Sequence, residues 1–264
     1  MITLATSFTC MTLLAACSTA NAASPEAAKD LAPSGRLRAA INFGNPVLAQ
    51  KDPKTGEPQG ASVALARELG RQLGVPVDLV PFNEAGAVFE AVKIGAWDIA
   101  FLAIDPVRAA GIDFTAPYVV IEGTYLVPAG SALRRIEDVD RDGIQIGVAK
   151  GSAYDLYLTR ALKHARIIRA DNSAGAVALL EQNKVEALAG VKQPLVEYAQ
   201  AHPETRVIPG RFMEINQAMG VPKGRRAAEA FLRDFVETMK SSGFVARALA
   251  ASGQADATVA PPAP

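Results

Sequence analysis

Cysteine and histidine are nearly missing from this chain of 264 residues, which has two of each. Both cysteines, Cys10 and Cys17, fall in the N-terminal segment, so the rest of the chain has no disulfide and no thiol chemistry. His164 and His202 stand in polar helical surroundings without a partner at metal-ligand spacing. They read as solvated surface residues, and no metal or cofactor is expected. Net charge is also missing, with 27 basic against 27 acidic side chains. No general attraction to nucleic acid or to an anionic membrane follows. Aromatic residues are only 6% and are not interleaved with a basic run, so no nucleic-acid partner is expected. No Ser-His-Asp arrangement, glycine-rich phosphate loop or metal cluster can be picked out. Beyond the first 25 residues no apolar run approaches the length of a membrane span. With 50% hydrophobic and 20% charged residues, what remains is the composition of a globular protein of one or two domains.

The N-terminus is a targeting segment. Residues 1–25 carry no charged side chain, and Cys10 to Ala16 forms an apolar core too short to cross a bilayer. Leu14-Ala15-Ala16-Cys17 resembles a lipoprotein box, which would place a lipid on Cys17. Ala20-Asn21-Ala22 resembles a signal-peptidase site, which would make residues 1–22 a signal peptide. Residues 23–34, rich in alanine and proline, read as a linker.

The chain is organised around Trp97 to Tyr118. Ile99 to Ile104 is an uncharged apolar run that reads as a strand buried on both faces. Asp105-Pro106 then signals a turn or helix start, with Arg108 close behind. In an open α/β sheet, ligands bind just beyond the carboxyl ends of strands, so Arg108 stands where a guanidinium fork can meet a carboxylate. The alternative is a surface arginine paired with a neighbouring acid. Before this stretch, strands at Leu37–Phe43 and Val75–Phe82 alternate with two helices. The first is capped by Ser62 and stopped by Gly74, and the second is capped by Asn83 and stopped by Gly95. After it, Gly123–Pro128 is extended. A second alternation runs from Ile144 to Ala189, and Asn216–Pro222 is again extended. Two α/β lobes result, each a mostly parallel sheet flanked by helices, joined by two hinge strands. Lobe one takes residues 35–125 and 218–252, and lobe two takes 128–216. A late helix with Phe231, Phe235 and Met239 on one stripe packs back on lobe one. Residues 253–264 read as a disordered tail.

Several segments fall in the order and spacing of a known family. They are Gly35-Arg36-Leu37-Arg38-Ala39-Ala40, Gly60 with Leu65-Ala66, Gly95-Ala96-Trp97-Asp98 and Pro106-Val107-Arg108, followed by Asp113-Phe114-Thr115-Ala116-Pro117-Tyr118 and Gly147-Val148-Ala149-Lys150-Gly151-Ser152. Over residues 35–252 the chain resembles the bacterial extracellular solute-binding proteins of the polar-amino-acid type (family 3), which serve ABC importers. The resemblance implies the type II periplasmic-binding-protein fold, a periplasmic location, a permease as partner and a small carboxylate-bearing ligand held by hinge closure. It implies that Arg108 binds the carboxylate, helped by groups just before it at Leu102 and Ala103. Phe43 and Phe82 match positions that wall the pocket, although core packing explains a buried phenylalanine equally well. Gly151, Ser152 and Ala153 match a helix start whose N–H groups meet the same carboxylate. Ser152 with Asp155 is also a plain capping box, and both readings can hold together.

Two departures bear on the ligand. Ala103 stands where the family carries Thr or Ser. Val191 or Lys192 stands where it places an aspartate for the α-ammonium. A buried ammonium without a carboxylate costs several kcal/mol, which points to an anionic or neutral solute, an organic acid whose charge Arg108 and Lys192 share. The alternative is that Lys192 faces solvent and Asp105 or Glu122 takes the ammonium. A binding protein that is monomeric and not an enzyme is the leading expectation. A periplasmic enzyme resembling cyclohexadienyl dehydratase, with Glu122, Glu214 or Asp105 as acid or base, and a ligand-sensing module are the alternatives.

Overall fold

Short apolar runs bounded by glycine and asparagine form the strands, and the amphipathic stretches between them form the helices. The structure, a computed structural model, describes residues 23–264; the expected signal peptide at 1–22 and the expected lipid site at Cys17 lie outside the described residues. In chain order the elements begin with α1 (Pro25–Leu31), β1 (Leu37–Asn42), a hairpin of β2 (Gln50–Lys51) and β3 (Pro58–Gln59), α2 (Ala61–Leu73), β4 (Val77–Phe82), α3 (Ala85–Ala91) and β5 (Ile99–Ala103). The long β6 (Ile112–Pro128) leads to β7 (Gln145–Ala149), α4 (Ala153–Ala161), β8 (Arg166–Ala170), α5 (Ser173–Glu181), β9 (Ala187–Val191), α6 (Lys192–Ala201) and β10 (Thr205–Val207). The chain returns through β11 (Met213–Pro222) to α7 (Arg226–Ser241), α8 (Phe244–Ala251) and β12 (Thr258–Val259). No described helix is long and apolar enough to cross a membrane.

The sheet runs in the order β4-β1-β5-β11-β6-β9-β7-β8. β1 is parallel to β4 and β5, and β7 is parallel to β8 and β9. The two parallel halves are not separate sheets. β6 and β11 pair antiparallel from Met213↔Gly123 to Pro222↔Ile112, and each also pairs with one half. The hinge strands satisfy one another's backbone groups, so the sheet is continuous through them. Apolar packing nevertheless falls into two sets. Leu37, Leu65, Ile99, Ile121 and Phe235 share one core, and Tyr125, Ile146, Val148 and Leu158 share another. Ser62 does not cap α2. The helix begins from Gly60 (φ 115°), and the Ser62 hydroxyl lies 3.2 Å from the Tyr118 hydroxyl inside lobe one.

Both chain ends differ from the expectation of a linker and a disordered tail. Ser24 accepts the Ala27 N–H (3.1 Å) with Pro25 at the first helical position, so α1 forms and buries Leu31 completely. At the other end Thr258 and Val259 pair with Val120 and Val119 on the hinge strand, and Ala257 and Ala260 are buried. Lys240, itself buried, donates to the Pro117 and Pro261 carbonyls and fastens this segment. Small apolar side chains suffice here because the open edge of β6 supplies the hydrogen bonds.

One buried acid ties lobe one together. Asp98 is fully buried and accepts from the Arg38 backbone N–H (3.1 Å), from Arg38 Nε and Nη2 (3.0 and 2.8 Å) and from Arg225 Nη1 (3.1 Å). It thereby joins β1, the start of β5 and the approach to α7. Asp98→Ala should cost about 3 kcal/mol, the low end for removing one partner of a buried pair, because both arginines keep some contact with water. A urea unfolding midpoint that drops without a change in slope would show this; an unchanged midpoint would contradict it.

Candidate functional site

Beyond β5 the chain turns sharply. The Asp105 side chain accepts the Val107 N–H (2.8 Å), and Arg108–Ala110 forms a single tight helical turn. This aims Arg108 back beneath the strand end, where it is only 1% exposed. Its Nη1 donates to the Ala103 carbonyl (3.0 Å) and its Nη2 to the Gly151 carbonyl of lobe two (2.9 Å). Its Nε is buried with no hydrogen-bond partner among the described residues. Burial lowers the guanidinium pKa to about 10, an effect that nearby Asp105 opposes, so the group remains a cation at neutral pH. A desolvated cation with an unused N–H is a built-in demand for an anion.

Opposite Arg108 stands the start of α4. Ser152 Oγ accepts the Asp155 N–H (3.1 Å), and the Asp155 carboxylate accepts the Gly151 N–H (2.8 Å) while Arg169 binds it from outside. Ser152 therefore caps α4, but the reciprocal bond of a capping box is not made, because Asp155 reaches back to Gly151 while the Ser152 N–H goes to the Ala149 carbonyl. The N–H groups of Ala153 and Tyr154 can find no carbonyl within the helix, and both residues line the cleft.

The cleft has two chambers. The inner one, about 40 Å³, is bounded by Asn45, Glu84, Leu102, Ala103, Arg108 and Ser152. It has room for a carboxylate-sized group or a few waters. The outer one, about 540 Å³, is walled mainly by Phe43, Val177, Leu188, Pro194, Leu195 and Tyr198. Gly44, Glu84, Tyr154 and Val191 border both. Glu84, just ahead of α3, does not cap its own helix. Its carboxylate reaches lobe two instead, accepting the Ser173 N–H (2.7 Å) and the Ser173 hydroxyl (3.3 Å). Burial raises its pKa, with the Ser173 bonds opposing, and burial pushes the neighbouring Tyr154 up to about 12.

The structure brings together most of the residues the sequence singled out, though not all. Leu102, Ala103, Arg108, Ser152 and Ala153 line the inner chamber, and Gly151, outside its wall, accepts from Arg108 through its carbonyl. Phe43 walls the outer chamber, with Lys51 5.5 Å above its ring. Phe82 borders neither chamber and packs with Val88 and Trp97 instead. Lys192 is also elsewhere. Val191 faces the chambers, and Lys192, the next residue, turns to the outer side of the hinge and bonds Glu122 (2.6 Å). It therefore shares no ligand charge with Arg108. Asp105 is held by Arg160 of lobe two (2.6 Å), and Glu122 by Lys192 and Arg211. Sequence reasoning missed Glu84 and Asn45. Asn83 drew the capping role, and its neighbour was passed over.

The lobes touch at several points across this cleft. Besides Arg108–Gly151, Asp105–Arg160 and Glu84–Ser173, two glycines meet. A Cβ on Gly151 would lie 2.8 Å from the Gly86 Cα, and one on Gly86 would lie 2.8 Å from the Lys150 carbonyl oxygen. The closed arrangement leaves no space for a side chain there.

Comparison with known proteins supports the fold. A glutamine-binding protein of Geobacillus stearothermophilus is 20% identical over 193 residues, 72% of this chain and 73% of that protein. A cysteine-binding protein of Campylobacter jejuni superposes with a TM-score of 0.74 at 23% identity, over 85% of this chain and 92% of that one. An ancestral amino acid-binding protein, a precursor of cyclohexadienyl dehydratase, superposes with a TM-score of 0.70 at 23% identity, over 85% and 98%. These likenesses establish the type II periplasmic-binding fold. Residues 37–251 match the family as a whole, and the chain belongs to the bacterial extracellular solute-binding proteins, family 3.

Proposed function

We propose that this protein is the periplasmic substrate-binding component of an ABC importer, and that it closes on a small carboxylate-bearing solute for delivery to a membrane permease. The observation that carries this reading is Arg108, a buried guanidinium at the meeting of the lobes that lines a carboxylate-sized chamber and whose Nε–H has no hydrogen-bond partner among the described residues. A carboxylate there touches Arg108 of lobe one and the N–H groups that open α4 of lobe two. Only a guest that bonds both lobes shifts an open–closed balance. Leu102 and Ala103 shape the wall, and Phe43 covers the apolar end.

A dehydratase on the same scaffold is the competing reading. It is favoured by one observation, a carboxyl raised above its ordinary range and set in the cleft beside Tyr154. Recovery of the bound solute unchanged after long incubation decides for binding; conversion decides for catalysis.

A thermal-shift screen of amino acids and organic acids tests the main reading. A solute at a hundred times its Kd adds about 2.7 kcal/mol of stability. Stabilisation confined to carboxylate-bearing solutes is expected, and stabilisation by sugars or simple amines instead would contradict it. Arg108→Ala should weaken the solute so found by about 2–5 kcal/mol. An affinity unchanged in calorimetry would remove Arg108 from the site.

Closure has its own test. Valine is no worse than glycine within a helix, so Gly86→Val should leave the unliganded melting temperature nearly unchanged. Its side chain would nonetheless collide with Lys150 and Gly151 when the lobes meet. We expect weaker solute binding and a radius of gyration that no longer contracts when solute is added. Normal contraction in solution scattering would show that the glycine contact does not govern closure.

A further inference from the structure

The inner chamber has more bonding capacity than a carboxylate uses. Arg108 offers a donor, yet two acceptors stand on the same chamber. Asn45 is 7% exposed, and its buried Oδ1 has no hydrogen-bond partner among the described residues. Glu84 spends one bond from each oxygen on Ser173 and keeps further lone pairs in reserve. Its neighbourhood is also unusual for this molecule. The deeply buried acids Asp98, Asp105, Asp138 and Asp155 each hold an arginine. Glu84 makes no ion pair among the described residues, and burial raises its pKa, as expected of a carboxyl that lacks a counter-cation.

Space is kept for this carboxylate. A Cβ at Gly44 would approach the Asn83 carbonyl oxygen to 2.4 Å and Glu84 Oε2 to 2.7 Å. Glycine there lets the loop after β1 lie against Glu84, at the junction of the two chambers. The outer chamber beyond has no charged side chain in its wall apart from Glu84. It suits an apolar substituent, and it would leave a second ligand charge unmatched.

We propose that Glu84, with Asn45 on the same chamber wall, receives the ammonium of a zwitterionic ligand, an α-amino acid whose carboxylate lies on Arg108 and whose apolar side chain fills the outer chamber. This rests on the Arg108 reading above and adds the other half of the head group. Val191 or Lys192 stands where the family resemblance leads one to look for an acid in lobe two, and of the two only Val191 borders the chambers. In this chain the acid comes from lobe one, just ahead of α3. Ser173 of lobe two orients its carboxylate, so the ammonium site is completed only when the lobes meet. The missing aspartate therefore marks a relocated charge, and an α-amino acid remains a matched guest.

Calorimetric titration with matched pairs tests this: leucine against isocaproate, and phenylalanine against hydrocinnamate. The members of each pair differ only by the ammonium. The wild-type protein should bind the amino acid of a fitting pair at least about tenfold more tightly than its des-amino partner. Glu84→Gln should erase that preference, and Glu84→Asp should retain part of it. Circular dichroism and the melting temperature show that each variant folds. Equal or tighter binding of the des-amino partner by the wild type overturns the proposal and leaves the carboxylate reading standing. So does a preference that survives in Glu84→Gln. Binding of neither member of either pair overturns the apolar α-amino acid assignment, and Arg108 is then judged by the wider solute screen alone.

Discussion

A guanidinium removed from water and left with one N–H unspent is the constraint on which this structure turns. Arg108 is held by two backbone carbonyls, one in each lobe, and both are partial charges only. Carbonyl dipoles solvate a cation less well than a carboxylate does, so the closed cleft contains an unmet electrostatic demand. Much of the surrounding architecture serves to place that demand. The buried strand β5 carries the chain to the cleft, the Asp105 turn reverses it, and Asp98 fixes the strand's start to its neighbours.

Closure is shaped by how little lies between the lobes as much as by what binds there. The continuous sheet through β6 and β11 lets the two cores keep separate packing while sharing one backbone ladder. Bending at such a pair moves two rigid bodies, and the meeting surfaces then decide where the motion stops. Gly86 and Gly151 meet at such a surface with no room for a side chain between them. Ion pairing between Asp105 and Arg160 spans the same gap, and the Arg160 side chain remains 44% exposed, so salt and water weaken it. On the proposed reading, a solute desolvated in the chamber would have the larger influence on the balance.

The fold was largely legible in the sequence because its signals are local and repeated. The uncharged run from Ile99 is buried as far as Ala103, with Ile104 at its end exposed, while Gly74 ends α2 in the left-handed region and the stripe of Phe235 and Met239 packs against lobe one, as their spacing implied. The ends were misread because composition says nothing about a free sheet edge. Ala257 and Ala260 are too small to announce a core, yet β6 accepts the segment beside them. The site was half legible. Arg108 and Ser152 follow turn and capping signals, whereas Lys192 was placed by register alone. One step along the chain at the β9–α6 junction sends Val191 to the cleft and Lys192 behind the hinge. Glu84 carried no pattern, since its partner Ser173 lies 89 residues away and meets it only across the closed cleft.

The central claim is that a ligand carboxylate occupies Nε–H of Arg108, and nuclear magnetic resonance can observe that proton. Its ¹⁵N–¹H signal, assigned by its loss in Arg108→Lys, should move strongly downfield on addition of a bound carboxylate solute. It should then exchange with water more slowly. A signal that neither shifts nor gains protection while the solute demonstrably binds would place the carboxylate elsewhere and contradict the account.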